Sequence, residues 1–248
     1  MNASPEFPLA PAAFHGESRE VDPGACFDWL QQGWAMFRAK PVVWLGSTVV
    51  LMVILTVISS VTPVGFFLAH LLAPLFGAGL LQICRYISDD NEVKIRDLFA
   101  GFQGKARPLL VVGVLFATGM FGLAFIGFLL VSGGVFGGVV TGSVAGFGIA
   151  LGGIMLAALV VAVLSVPVIM ATWFAPALVF FHDMKPAAAM RASFDAGARN
   201  WLAMTVFGIF LIVALFFAML PLGLGMLLLM PIFSGAVYAS YRDIFVGV

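Results

Sequence analysis

"GVFGGVVTGSVAGFG", residues 134–148, has no charged residue and places glycine at every fourth position: Gly134, Gly138, Gly142 and Gly146. On a helix these four form one bare groove, extended by Ala150 and flanked by Gly133, Gly137, Thr141 and Ala145. Such small-xxx-small ridges allow helices to approach closely in a membrane. Against a helix stands the intrinsic penalty of glycine, about 1 kcal/mol per residue relative to alanine. How this stretch is read decides the topology. As a full membrane crossing it would carry residues 183–199 and the C-terminus to the opposite side. As an insert between two crossings it leaves them where they are.

The surrounding charge map favours the insert. No Asp, Glu, Lys or Arg occurs in residues 41–84, 108–182 or 200–241, windows of 44, 75 and 42 residues. A membrane helix needs about 20 apolar residues, so the outer windows each hold two crossings and a tight turn. The middle window has the same two crossings plus the excess around 132–153. The spacing predicts spans at about 41–61, 64–86, 108–131, 155–181, 201–220 and 224–241, with turns near Thr62–Pro63 and Pro221–Gly223. Every Lys and Arg then lies on one side. Positive charge is retained in the cytoplasm, which puts both termini there. The insert itself is expected to be a re-entrant or surface-lying segment docking on the bundle or on a partner, through Gly134, Gly138, Gly142 and Gly146.

Composition agrees. Of 248 residues, 62% are hydrophobic and 10% charged, against about 45–50% and about 25% in a soluble domain. Twelve Lys and Arg balance twelve Asp and Glu, so no nucleic-acid footprint exists. Two cysteines, Cys26 and Cys84, make no disulfide framework or CxxC pair. Residues 1–22 are Pro- and Ala-rich, lack the basic start and apolar core of a secretory signal, and are expected to form a disordered cytoplasmic tail.

Each predicted hairpin follows a short amphipathic stretch. The stripes are Phe27, Leu30, Trp34 and Phe37; Ile95, Leu98, Phe99 and Phe102; and Met190, Phe194 and Trp201. Asp22-Pro23 is a start signal for the first. The segments "FQGKARP" (102–108) and "FDAGARN" (194–200) share F-x-x-x-A-R, and "LAPLFGAGLLQICR" (72–85) and "LMPIFSGAVYASYR" (229–242) both place Arg eleven residues after Pro. The expected fold is therefore an all-α integral membrane protein of six transmembrane helices in three hairpins, each preceded by an interfacial helix. A single polytopic domain over 23–248 comprises repeats at about 23–88, 94–183 and 186–248.

Residues that could carry chemistry are few. The predicted membrane contains no carboxylate, Lys or Arg, the groups on which coupled transport usually depends. His70 is the one histidine well inside a predicted span, and a buried polar contact with Ser or Thr on another helix is its expected role. His182, beside Asp183, reads as a solvated interfacial anchor. The chain has no G-x-S-x-G, H-E-x-x-H, P-loop or metal-ligand spacing, so neither enzyme activity nor a cofactor is expected. Arg38, Lys40, Arg107 and Arg199 sit at helix starts and could meet anionic lipid head groups.

The D-W-L-x-x-G-W-x-x-F segment (28–37) and "FAPALVFFHDMKPAAAMRASFDAGARNW" (174–201) resemble those of a group of uncharacterised proteobacterial inner-membrane proteins. The second stretch also resembles, over one repeat, the membrane domain attached to some glycerophosphodiester phosphodiesterases. The resemblance implies a bacterial inner membrane and six helices, and no catalytic residue. The expected function is a non-enzymatic scaffold or accessory subunit beside a larger membrane complex, in contact with lipids and another integral membrane protein. The alternative is a lipid-handling or small-solute channel or transporter.

Overall fold

A computed structural model describes residues 7, 14, 16–61, 65–142 and 144–247. Among these there are helices and no strand: α1 (Ala25–Ala39), α2 (Pro41–Val61), α3 (Gly65–Ser88), a 3₁₀ helix (Ile95–Phe102), α4 (Ala106–Thr141), α5 (Val144–Trp173), α6 (Ala175–His182), α7 (Pro186–Arg199), α8 (Trp201–Met219) and α9 (Met226–Phe245). Prolines open α2, α6 and α7, where the absent N–H would have had no partner. Among the described residues five stretches are long and apolar enough to cross a membrane: α2, α3, α4, the α5–α6 run and α8. The protein is thus a multi-pass membrane protein. The sixth expected span is helical as α9 but is not among the five. Its last two turns carry Tyr238, Ser240, Tyr241 and Arg242 into the interior, so it packs against protein where the others present Val, Leu and Phe to lipid.

The expected turn at Pro221–Gly223 is present, with Leu222 and Gly223 both at positive φ. The one at Thr62–Pro63 lies outside the described residues. Phe174 interrupts the fourth expected span and Pro176 restarts it as α6. Proline lacks the N–H that would continue the ladder.

Burial is concentrated where the charged segments lie. The C-terminal halves of α3 and α9 meet each other, α1 and α6 there, and α7 packs on α5 and α6. Trp29, Trp44, Phe174, Phe207 and Phe245 are the largest fully buried side chains. Trp173 and Phe207 meet edge to face with centroids 6.0 Å apart, and Trp29 meets Phe207 in the same way at 5.8 Å, an arrangement favoured by the ring quadrupoles.

Close backbone contact sets the positions of the short helices. α1 crosses α9 at Gly33 and Gly235, where a Cβ on Gly235 would lie 2.7 Å from Gly33 Cα. The 3₁₀ helix lies on α3 with Gly79 under the Leu98 carbonyl and Gly101 over the Leu75 carbonyl. That fit replaces the α-helical stripe expected over 95–102. Leu98 is buried, and Phe99 and Phe102 pack edge-on against Phe76, 6.2 and 5.0 Å away. α1 has two apolar faces: Cys26, Trp29, Gly33 and Met36 point inward, while Phe27 and Trp34 from the expected stripe are exposed.

Both thiols are inside, Cys26 at 1% and Cys84 at 0% exposure, and burial pushes the Cys26 thiol up from its ordinary value. The thiolate is the reactive form. Maleimide labelling of the folded protein in detergent should therefore be slow at both positions and complete on denaturation. Rapid labelling of native protein would contradict the packing.

The tail expected to be disordered is docked where it is described near α1. Asn200, 3% exposed, receives the Val21 N–H on Oδ1 (2.8 Å) and donates from Nδ2 to the Arg19 carbonyl (2.9 Å). The Arg19 N–H donates to the Ile244 carbonyl (2.9 Å), and its guanidinium pairs with Asp243. A short polar segment resists disorder here because a buried amide satisfies its backbone on both sides. Leaving such groups unpaired costs about 1–3 kcal/mol. Asn200→Ala should accordingly speed trypsin cleavage after Arg19 at least about fivefold, measured on intact protein. Unchanged cleavage would mean the clamp does not hold the segment.

Candidate functional site

The glycine stretch forms the tip of two helices that run on from the bundle. α4 continues to Thr141, Gly142 adopts a left-handed conformation (φ +57°) with its N–H on the Gly138 carbonyl at 3.3 Å, and α5 begins at Val144. Only a residue tolerant of positive φ closes so tight a turn without strain. The two helices pack antiparallel. Gly134 faces Gly153 (a Cβ on either would lie 2.7 Å from the other's Cα), and Gly138 and Gly146 each lie under the other's carbonyl. Gly127 continues the seam against Val161, and Gly119 against Val168.

This corrects the expectation of a separate insert. Where it is described, the segment 132–153 is not a separate unit between two helices: it continues α4 and α5 themselves. Gly134, Gly138 and Gly146 close the hairpin on itself, and Gly142 makes its turn. The physical reason is proximity. The ridge on α4 meets glycines on α5 within one tight turn, before any other surface can reach it. What remains outward is large and apolar: Phe136 and Phe147 at 72% exposure, Val140 at 69% and Val144 at 91%.

The hairpin is also long. The 36 residues of α4 span about 54 Å at roughly 1.5 Å per residue. The hydrocarbon core of a bilayer is about 30 Å thick. Lys105, ion-paired with Asp183, anchors the base of the hairpin at the charged end of the bundle. Even at a steep tilt of about 40°, α4 would still cover about 41 Å along the normal, more than the hydrocarbon core alone.

The four basic residues singled out in the sequence stand at helix junctions and are exposed: Arg38 and Lys40 at the end of α1, Arg107 in the first turn of α4, Arg199 at the end of α7. Among the described residues no contact joins any two of them. Arg199 also donates to the Ser18 carbonyl and so supports the docked tail. His70 is half-buried on α3, its ring 6.3 Å from that of Phe116. It lines an apolar cleft of about 350 Å³ with Phe67, Ala117, Met120 and Phe121.

Sequence reasoning missed the environment of His182. Its ring is hydrogen-bonded to the Tyr241 hydroxyl and stacked on Phe14 with centroids 3.7 Å apart. Arg85 lies over the neighbouring Phe181 ring at 5.2 Å. The usable signal was the pair of matching segments after Pro74 and Pro231, which deliver Arg85 and Tyr241 to the same end of the bundle. Among the described residues no group of three or more His, Cys, Asp or Glu could hold a metal ion.

No family model matches the chain, and no solved structure matches it. It is similar to a probable inner membrane protein of Burkholderia thailandensis, with 29% identity over 229 residues, covering 89% of this chain and 83% of the relative.

Proposed function

We propose that this chain is a non-enzymatic scaffold or accessory subunit of the bacterial inner membrane, docking a larger membrane protein through the outer faces of the α4–α5 hairpin. The observation that carries the reading is the hairpin itself. It is longer than the hydrocarbon core of a bilayer, uncharged from residue 108 to 182, and lined outside by Phe136, Val140 and Phe147. Contiguous apolar surface beyond the lipid is unfavourable in water at about 25 cal/mol per Å², and an apolar partner removes it. We further read the chain as six crossings in three hairpins with both termini cytoplasmic. The confinement of Lys and Arg to one end supports that orientation, and the Burkholderia relative, a probable inner membrane protein, supports the location.

The test is purification of tagged protein from native membranes in mild detergent, with co-eluting proteins identified by mass spectrometry. A stoichiometric membrane partner is expected. Phe136→Arg and Phe147→Arg, both on exposed faces, should abolish its recovery while the protein stays monodisperse. Wild-type protein that elutes alone would sink the scaffold reading.

A further inference from the structure

Where the C-terminal turns of α3, the 3₁₀ helix and α6 meet, an open cleft of about 480 Å³ is lined by Gln82, Tyr86, Arg96, Asp97, Gln103 and Phe180. The volume falls in the roughly 300–1,000 Å³ range of small-molecule sites. Its lining sets it apart. The cleft at His70, and another of about 320 Å³ between α1, α8 and α9, are apolar. This one brings together a guanidinium, a carboxylate, two primary amides and a phenol.

Its height in the molecule matters equally. Gln82 and Tyr86 bracket Arg85, Gln103 precedes Lys105, and Phe180 precedes His182 and Asp183. The cleft therefore sits at the level where long apolar helices give way to charge, with Ile95 and Phe102 exposed on the same 3₁₀ helix. A ligand there can keep an apolar chain in lipid and a polar group in the cleft.

The charge pattern selects the group. Arg96 is exposed and forms no ion pair among the described residues. Asp97 accepts the Lys94 N–H on Oδ2 at 2.7 Å. The lining thus carries one positive and one negative charge. A simple anion would meet Asp97 unfavourably, and a simple cation would meet Arg96 unfavourably, whereas a zwitterion suits both. Tyr86 and Phe180 add ring faces that attract an ammonium.

We infer that this cleft holds the head group of a zwitterionic phospholipid of the phosphoethanolamine type. The phosphate lies toward Arg96 and the amides, and the ammonium toward Asp97 and the two rings. The site uses none of the hairpin residues, so it stands or falls apart from the scaffold reading.

The experiment offers purified full-length protein equimolar phosphatidylethanolamine and phosphatidylglycerol in mixed micelles, and native mass spectrometry counts the lipid retained. Wild-type protein should prefer phosphatidylethanolamine by about fivefold, the size of one partly exposed charge contact. Asp97→Asn keeps an acceptor for the Lys94 N–H and should erase the preference. Arg96→Gln removes no ion pair among the described residues and should lower retention of both lipids. Arg191→Gln, at an exposed position of α7, should change neither. No preference, a preference for phosphatidylglycerol, or variants that bind like wild type would overturn the inference. So would displacement of the lipid by millimolar free phosphoethanolamine, which would assign the cleft to a soluble phosphoamine.

Discussion

Gly33→Leu is expected to leave no monodisperse folded protein, and Gly33→Ala to lower the thermal midpoint in detergent by about 4–8 °C. The cause is backbone meeting backbone. A Cβ at Gly33 would overlap the Ile232 carbonyl oxygen and lie 2.8 Å from Ala236 N, and neither atom can rotate away. Overpacking of this kind costs about 1–3 kcal/mol or more. Helix propensity acts in the opposite direction, favouring Ala over Gly by about 1 kcal/mol. From the upper end this leaves about 2 kcal/mol, and with roughly 2–4 °C per kcal/mol for a chain of this size the quoted shift follows. Gly77 supplies the comparison. It lies in α3 with nothing within 4 Å of an added Cβ, so Gly77→Ala should be neutral or stabilising by about 1 kcal/mol. Two identical substitutions of opposite sign would establish that the α1–α9 crossing, not helix propensity, governs stability. Equal midpoints for both variants would refute it.

Gly138→Leu should pry apart the far half of the hairpin and leave the buried core intact. The new side chain would overlap the Gly146 carbonyl and press on Ala150 Cβ at 3.0 Å. The helices would move toward the roughly 8–10 Å separation usual for side-chain-bearing pairs. Spin labels at Val139 and Phe147, both exposed, should report a longer and broader distance distribution. Trp29, Trp44 and Phe207 lie in the cluster at the other end, so native tryptophan emission should persist. Gly148→Leu is the control, since nothing lies within 4 Å of its added Cβ. If the hairpin is the docking element, Gly138→Leu also loses the co-purifying partner. An unchanged distance distribution would show that the glycine seam does not hold the pair together.

The candidate interaction surface was half legible in the sequence. The four glycines announced close helix packing, because only small residues at i, i+4 spacing permit it, yet one chain gives no indication of which helix is the neighbour. The seam residues Gly127, Gly153 and Val161 lie on both sides of the turn and carry no recognisable spacing across it. His182 was misjudged for a related reason. Its neighbour Asp183 suggested solvent, whereas its bonding partner Tyr241 and stacking partner Phe14 are distant in sequence. The docked segment around Arg19 looked disordered because it belongs to a Pro- and Ala-rich stretch that carries Glu17, Glu20 and Asp22. Its order comes from Asn200 and Asp243, polar groups that a compositional reading treats as solvated.

By itself the sequence determined that this is an all-helical, multi-pass membrane chain, where the apolar helices run, and that charge is confined to the segments between them. These follow from the length and hydropathy of continuous segments, because hydrocarbon penalises each exposed charge and each open backbone group locally. Tertiary structure alone decided that the glycine stretch zips two long helices together, that α1 locks onto α9 at Gly33 and Gly235, that α9 turns its last polar turns inward, and that Arg96, Asp97, Gln82 and Gln103 converge on one cleft. Each of these depends on contacts between residues far apart in the chain, and such pairings are selected by shape and hydrogen-bond satisfaction that no local pattern encodes.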